Sequence, residues 1–240
     1  MNKFDAVKKD FDELPYMKHN QASMLRELIR EVDAKEILEI GFSRGKSSVY
    51  IAAILEDQRA GNLTTLDRKS AQKNQPNITE VLDKIGVSHR VTPIYCYRSY
   101  TWELQKLINS PNCPKFDLCY FDGGHTWDDT GFGVVLVDRL LRPGGTLILN
   151  ELDWSIARSP YYKRNPRNKA LYSKDEQEAT PVRLVWNTIL PQLGYKKIRE
   201  HKDLRWGIAR KRPPGDQVDN AFDAKPGIKF SLFGTGGGGK

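Results

Sequence analysis

From residue 36 to about residue 210, short apolar runs alternate with stretches whose apolar residues recur at helical spacing. Strands separated by helices are neighbours in a parallel sheet, because parallel pairing needs a long crossover and the crossover is a helix. The runs at 36–40, 63–66, 91–95, 116–121 and 146–149 are the expected parallel strands, with 195–199 and 205–209 closing the sheet. Helices are expected at 47–56, 78–85, 102–108, 126–141, closed by Arg142-Pro143-Gly144-Gly145, and 182–193, ending near Gly194. The pattern predicts an α/β fold, a doubly wound and mostly parallel seven-stranded sheet.

At 240 residues the chain is near the upper end of what one hydrophobic core supports, so one domain with attachments is expected. Met24, Leu25, Leu28, Ile29 and Val32 recur at helical spacing, and residues 1–35 read as a helical lid or an oligomer contact before a main domain at 36–212. The stretch 155–180, rich in Arg, Lys, Asn, Pro and Tyr, breaks the rhythm and reads as an insertion over the strand ends. Gly, Pro and Asp dominate 213–240, the composition of a mobile tail. No apolar run approaches a membrane span, and Lys8, Lys9 and Asp10 leave no room for the apolar centre of a secretory signal. A cytoplasmic protein with no membrane partner is expected. Cys96, Cys113 and Cys119 form no C-x-x-C pair, so free thiols are expected rather than disulfides or a cysteine zinc site.

Residues 39–47, Glu-Ile-Gly-Phe-Ser-Arg-Gly-Lys-Ser, join the first strand to the next helix. Glycines let backbone approach a ligand there, and the helix N–H groups face it. Three ligand classes compete. A dinucleotide turn needs a glycine where Ser43 stands, and a P-loop needs four residues between its glycines where Gly41 and Gly45 enclose three. The third reading, E-x-G-x-x-x-G-x-S, resembles the first motif of class I S-adenosylmethionine-dependent methyltransferases. That resemblance implies a Rossmann-like methyltransferase fold, with the amino-acid end of S-adenosylmethionine received by Glu39, Gly41, Ser43, Gly45 and Ser47. Asp67, ending the second strand, would accept the ribose hydroxyls, or else serve as a cap or turn residue. The adenine edge would meet Tyr97-Arg98-Ser99, although Ser99 fits an N-cap equally well.

The fourth strand ends in Asp122-Gly123-Gly124-His125, at the sheet edge where open α/β folds bind ligands. Its D-G-x-H resembles metal-dependent sugar and macrolide O-methyltransferases, and 141–149 resembles the L-x-P-G-G signature of the wider family. The resemblance to the catechol and macrolide enzymes makes Asp122, Asn150 and Glu151 magnesium ligands, with Asp122 also bordering the cofactor and His125 acting as base. Magnesium takes hard oxygen donors and keeps waters, so two carboxylates and an amide oxygen suffice in kind. The family usually has more negative charge at this pair than Asn150 and Glu151 supply, and Asp153 compensates only if its loop folds back. In the plainer reading, His125 caps the helix beginning near Thr126.

The resulting expectation is methyl transfer to a hydroxyl of a small molecule, magnesium-assisted, with Trp154, Tyr161 and Tyr162 forming an acceptor wall. Two rivals stand beside it. Arg158, Lys163, Arg164, Arg167 and Lys169 would suit RNA or another polyanion, in keeping with a net charge of +8, although surplus charge also simply keeps proteins soluble. Alternatively, the domain binds S-adenosylmethionine or a nucleotide without turnover, as a sensor or scaffold. A homo-oligomer is also compatible with the sequence.

Overall fold

Each expected strand is present in the computed structural model, which describes residues 2–213. The parallel strands are β1 (Glu36–Ile40), β2 (Asn62–Arg68), β3 (Val91–Cys96), β4 (Phe116–Phe121) and β5 (Leu141–Leu149), followed by β6 (Tyr195–His201) and β7 (Trp206–Lys211). The helices are α1 (Lys3–Phe11), α2 (His19–Glu31), α3 (Lys46–Asp57), α4 (Ile78–Ile85), α5 (Tyr100–Ile108), α6 (Trp127–Leu140), α7 (Pro160–Arg164), α8 (Pro166–Lys169), α9 (Lys174–Glu178) and α10 (Pro181–Gln192). The expected tail lies outside the described residues from 214 onward. Among the described residues, no helix is long and apolar enough to cross a membrane.

The seven strands form one sheet in the order β3-β2-β1-β4-β5-β7-β6, and β7 runs antiparallel to both of its neighbours. The order reverses direction between β1 and β4, where the carboxyl ends of the strands leave a crevice. Register makes that crevice specific: Ile40 pairs with Leu66 and with Phe121, and Phe121 pairs with Leu149. The next residues, Gly41, Asp67, Asp122 and Asn150, therefore leave the sheet side by side.

Side chains alternate across each strand, so the sheet buries two apolar layers. Ile37, Leu63, Leu118, Tyr120 and Ile148 meet α1 to α4, while Leu38, Leu66, Cys119, Phe121 and Leu147 meet α5, α6 and α10. Fully burying one such Leu or Ile contributes about 1.5–3 kcal/mol. The capping residues sit as sequence rules require: Asn77 and Glu80 form a capping box on α4, and Gly86 ends it in the left-handed region.

The helices α1 and α2 pack on the sheet beside α3. Phe4, Val7, Phe11, Ala22, Leu25 and Ile29 are buried in the same layer as α3, and the Asp57 carboxylate accepts the N–H groups of Lys3 and Phe4 at the start of α1. The amphipathic spacing marked a buried face, and that face belongs to the main core. Strand five also begins earlier than expected: Leu141 pairs with Phe116, the chain bulges through Pro143-Gly144, and pairing resumes at Thr146 opposite Leu118. The proline and glycine that read as a helix stop lie inside an irregular strand. The insertion contains α7, α8 and α9, and its two ends are joined where the Ala157 N–H donates to the Gln177 carbonyl at 2.8 Å. The three cysteines are free thiols, as expected.

Candidate active site

The β1 turn brings Gly41 against β4 with φ of +90°, and a Cβ placed there would lie 2.2 Å from the Asp122 carbonyl oxygen. Only glycine permits that approach. Ser43 and Gly45 also adopt positive φ, curling the turn before α3 begins at Lys46. The Asp67 carboxylate holds this curl from β2, its Oδ2 accepting the N–H groups of Phe42 at 3.0 Å and Ser43 at 2.6 Å. Asp67, the residue expected at the ribose, is thus bound to the glycine turn. Asn74 adds a hydrogen bond to the Ser43 carbonyl at 2.9 Å, a contact the sequence did not announce.

Glu39 is fully buried, with Oε2 accepting the hydroxyls of Ser48 and Thr65. Burial pushes its carboxyl up to about 7. Its Oε1 is buried and receives no hydrogen bond, so the turn presents an acceptor that an ammonium group would satisfy. The residues therefore suit the amino-acid end of S-adenosylmethionine. They do not suit a nucleoside triphosphate: Lys46, the lysine a P-loop would aim at phosphate, is buried and donates to the carbonyls of Asp12 at 2.8 Å and Leu14 at 2.6 Å. Ser47 is buried at the first turn of α3. Ser99 caps α5, accepting the Thr101 N–H at 3.2 Å, so its hydroxyl fulfils the local role. Past it opens a cleft of about 640 Å³, lined by Tyr97, Arg98, Trp102, Asp128 and Phe132 among others.

At the β4 end, His125 Nε2 lies 3.5 Å from Asp122 Oδ1, and the imidazole stacks on Trp154 with centroids 5.4 Å apart. Tyr162 packs edge-on against Trp154 at 6.1 Å, and Tyr161 and Tyr172 pack on Tyr162. Trp154, in the loop after β5, thus covers the histidine, and the insertion's Tyr162 and Tyr161 pack behind it in one aromatic group. Among the insertion's basic residues, Arg158, Lys163, Arg164 and Arg167 are exposed, and Arg158 donates to Ser155 Oγ and to the Asp153 carbonyl.

The magnesium expectation meets a different arrangement. Asn150 Nδ2 donates to Asp122 Oδ1 at 2.7 Å, and Asn150 Oδ1 accepts from the fully buried Trp206 Nε1 at 2.7 Å. A flipped amide would set oxygen against carboxylate and NH₂ against N–H, leaving groups unpaired at about 1–3 kcal/mol each. The indole therefore fixes which amide atom faces the crevice, and it is the nitrogen. Glu151, with φ of +61°, pairs with Arg205 at 2.7 Å. Burial raises its carboxyl above the ordinary range, and Arg205 opposes that rise. Asp153 pairs with Arg183 at 2.8 Å, so it does not compensate. Among the described residues, no three His, Cys, Asp or Glu side chains group as a metal site. The donor set does not fit Mg²⁺, which takes oxygen atoms and no amide nitrogen. Trp206 and Arg205, the residues responsible, were not singled out in the sequence. The one available signal was that a buried indole N–H needs an acceptor.

Sheet order and crevice define an α/β enzyme frame with an acidic, glycine-bearing cofactor turn. The family described as "Methyltransferase domain" matches residues 38–152, which span β1 to the start of the loop after β5. Over that segment, just under half of the chain, the sequence is similar to methyltransferases of that family. A solved structure from Klebsiella pneumoniae, described as a candidate O-methyltransferase, is 25% identical over 88% of this chain and 90% of its own, with a TM-score of 0.58. The Bacillus cereus O-methyltransferase in complex with SAH is 17% identical over 88% and 91%, with a TM-score of 0.62. The O-methyltransferase TomG from Streptomyces achromogenes, involved in tomaymycin synthesis and solved with SAM, is 19% identical over 88% and 90%, with a TM-score of 0.58. Among curated proteins no sequence matches.

Proposed function

We propose that the chain transfers a methyl group from S-adenosylmethionine to a hydroxyl oxygen of a small molecule, with His125 as the general base. The observation that carries this reading is the adjacency, at neighbouring strand ends, of the Glu39–Gly41 turn and an imidazole set beside a carboxylate under an aromatic wall. Structural likeness to O-methyltransferases supports oxygen as the acceptor atom.

When bound, S-adenosylmethionine supplies a sulfonium methyl whose sulfur leaves as a neutral thioether. The Glu39 carboxylate and the turn from Gly41 to Gly45 would hold its amino-acid end, and Asp67 would hold the ribose. A neutral hydroxyl attacks poorly, so its proton passes to His125 Nδ1 as the new carbon–oxygen bond forms. Asp122, on the Nε2 side at 3.5 Å, steadies the imidazolium so produced. Trp154 and Tyr162 exclude water and orient a planar or ring-bearing acceptor.

Calorimetric titration of S-adenosylmethionine into wild type, Asp67→Ala and Gly41→Val tests the cofactor half. Both variants should weaken binding. ATP binding in place of the sulfonium, or unimpaired variants, would remove the reading. Labelled methyl transfer across panels of phenols, sugars and RNA then tests the acceptor, with transfer to RNA alone favouring the exposed basic residues of the insertion.

A further inference from the structure

We propose that Trp206 and Arg205, at the turn into β7, take over the charge-ordering role of a divalent cation in this crevice, so that the chain neither binds nor needs one. This rests on the O-methyl transfer reading for its chemistry, and on geometry for its substance. The three residues aligned with a magnesium site each have an organic partner: Asp122 the Asn150 amide nitrogen at 2.7 Å, Asn150 the Trp206 indole at 2.7 Å, and Glu151 the Arg205 guanidinium at 2.7 Å. Trp206 is a positioning residue. Fully buried and packed against Tyr120 at 5.6 Å, it cannot turn its N–H elsewhere, and it holds the amide with its donor toward Asp122. A cation at this point would have to displace a donor from one carboxylate and a guanidinium from the other. The amide oxygen remains committed to the indole throughout.

Both partners come from a segment more than 50 residues beyond Asn150 in the chain, immediately after β6. The same turn returns to the site through its backbone, since the Leu152 N–H donates to the Arg205 carbonyl at 3.0 Å. The β6–β7 hairpin is therefore bound to the loop carrying Asn150 and Glu151 by an indole, a guanidinium and a main-chain bond.

The test is Mn²⁺ titration, followed by calorimetry and by the paramagnetic resonance of free Mn²⁺, on the S-adenosylmethionine-loaded full chain. Wild type should bind no Mn²⁺ at the crevice up to about millimolar concentration, below the affinity of weak extracellular-type cation sites. Asn150→Asp places two carboxylates face to face and should gain one Mn²⁺ per chain. Trp206→Phe keeps the ring against Tyr120 and removes only the N–H, freeing the amide to turn its oxygen inward. It should gain weaker binding, which a purely structural tryptophan would not produce, and it serves where Asn150→Asp does not fold. One Mn²⁺ per wild-type chain, or no gain in either folded variant, overturns the proposal. The readout needs no acceptor, so a failure to find methyl transfer leaves it intact, whereas transfer abolished by chelator in wild type defeats it.

Discussion

The two halves of the crevice are built differently. The cofactor half, at the ends of β1 and β2, is assembled from backbone: a turn of positive-φ residues, N–H groups held by Asp67, and one buried carboxylate. The half proposed for the acceptor, at the ends of β4 and β5, is assembled from side chains: Trp154 from the loop after β5, Tyr162 from the insertion, and Arg205 and Trp206 from the final hairpin. A backbone-built site tolerates little change in loop length or glycine position. A side-chain-built site changes its chemistry by single substitutions while the sheet stays the same.

That contrast is sharpest at His125. Replacing it with Ala should lower turnover by roughly 10²–10⁴-fold and leave S-adenosylmethionine affinity unchanged, because base catalysis is felt in the transition state. Single-turnover methyl transfer paired with calorimetry decides it, and a loss of cofactor affinity of the same size would merge the two halves. In the cofactor half the large effect is on pH. Burial lifts Glu39 to about 7, above its ordinary value of 4.5, so the folded protein keeps a proton that the unfolded chain has lost between those values. Stability is then greatest below about 4.5, declines through the window up to about 7, and is level above it, by at most roughly 3 kcal/mol. Denaturant unfolding without cofactor at about pH 5 and about pH 8 should show the decline in wild type and a flatter profile in Glu39→Gln. Equal profiles would mean that Glu39 is ionised in the fold.

A smaller effect is expected at Asp67. Asp67→Ala removes a charged acceptor from two turn amides and from the ribose position, and should weaken cofactor binding by about 10–100-fold with little change in turnover at saturation. A turnover defect at saturating cofactor would show that the turn also positions the acceptor. The smallest expected change is Ser99→Ala, which removes the α5 cap and should cost about 1 kcal/mol in thermal unfolding while leaving cofactor affinity unaltered. A clear loss of affinity would return Ser99 to the adenine site.

The fold was legible because its signals are local and repeat: alternation located all seven strands, and 78–85 and 116–121 agree with the residues of α4 and β4. Leu141 to Gly145 misled because proline and glycine mark both a helix stop and a bulged strand, and pairing with Phe116 decided between them. The face of α2 was visible, but what it packs against was not, since burial against α3 depends on a chain reversal that no spacing encodes. At the ends of β4 and β5 the family resemblance singled out Asp122, His125, Asn150 and Glu151, and the structure places His125 and Asn150 beside Asp122. Their partners were hidden because a hydrogen bond over 56 residues leaves no periodic trace. Asn150 looked like a weak metal ligand only while Trp206 was not in view.

The stack of His125 on Trp154 has an optical consequence. An indole face in contact with an imidazole senses the charge of that ring, more strongly when it is cationic. Emission from Trp154 should therefore dim as the imidazole gains its proton and recover as the proton leaves. The chain carries its own indicator dye beside the proposed base, read with light and with no acceptor present.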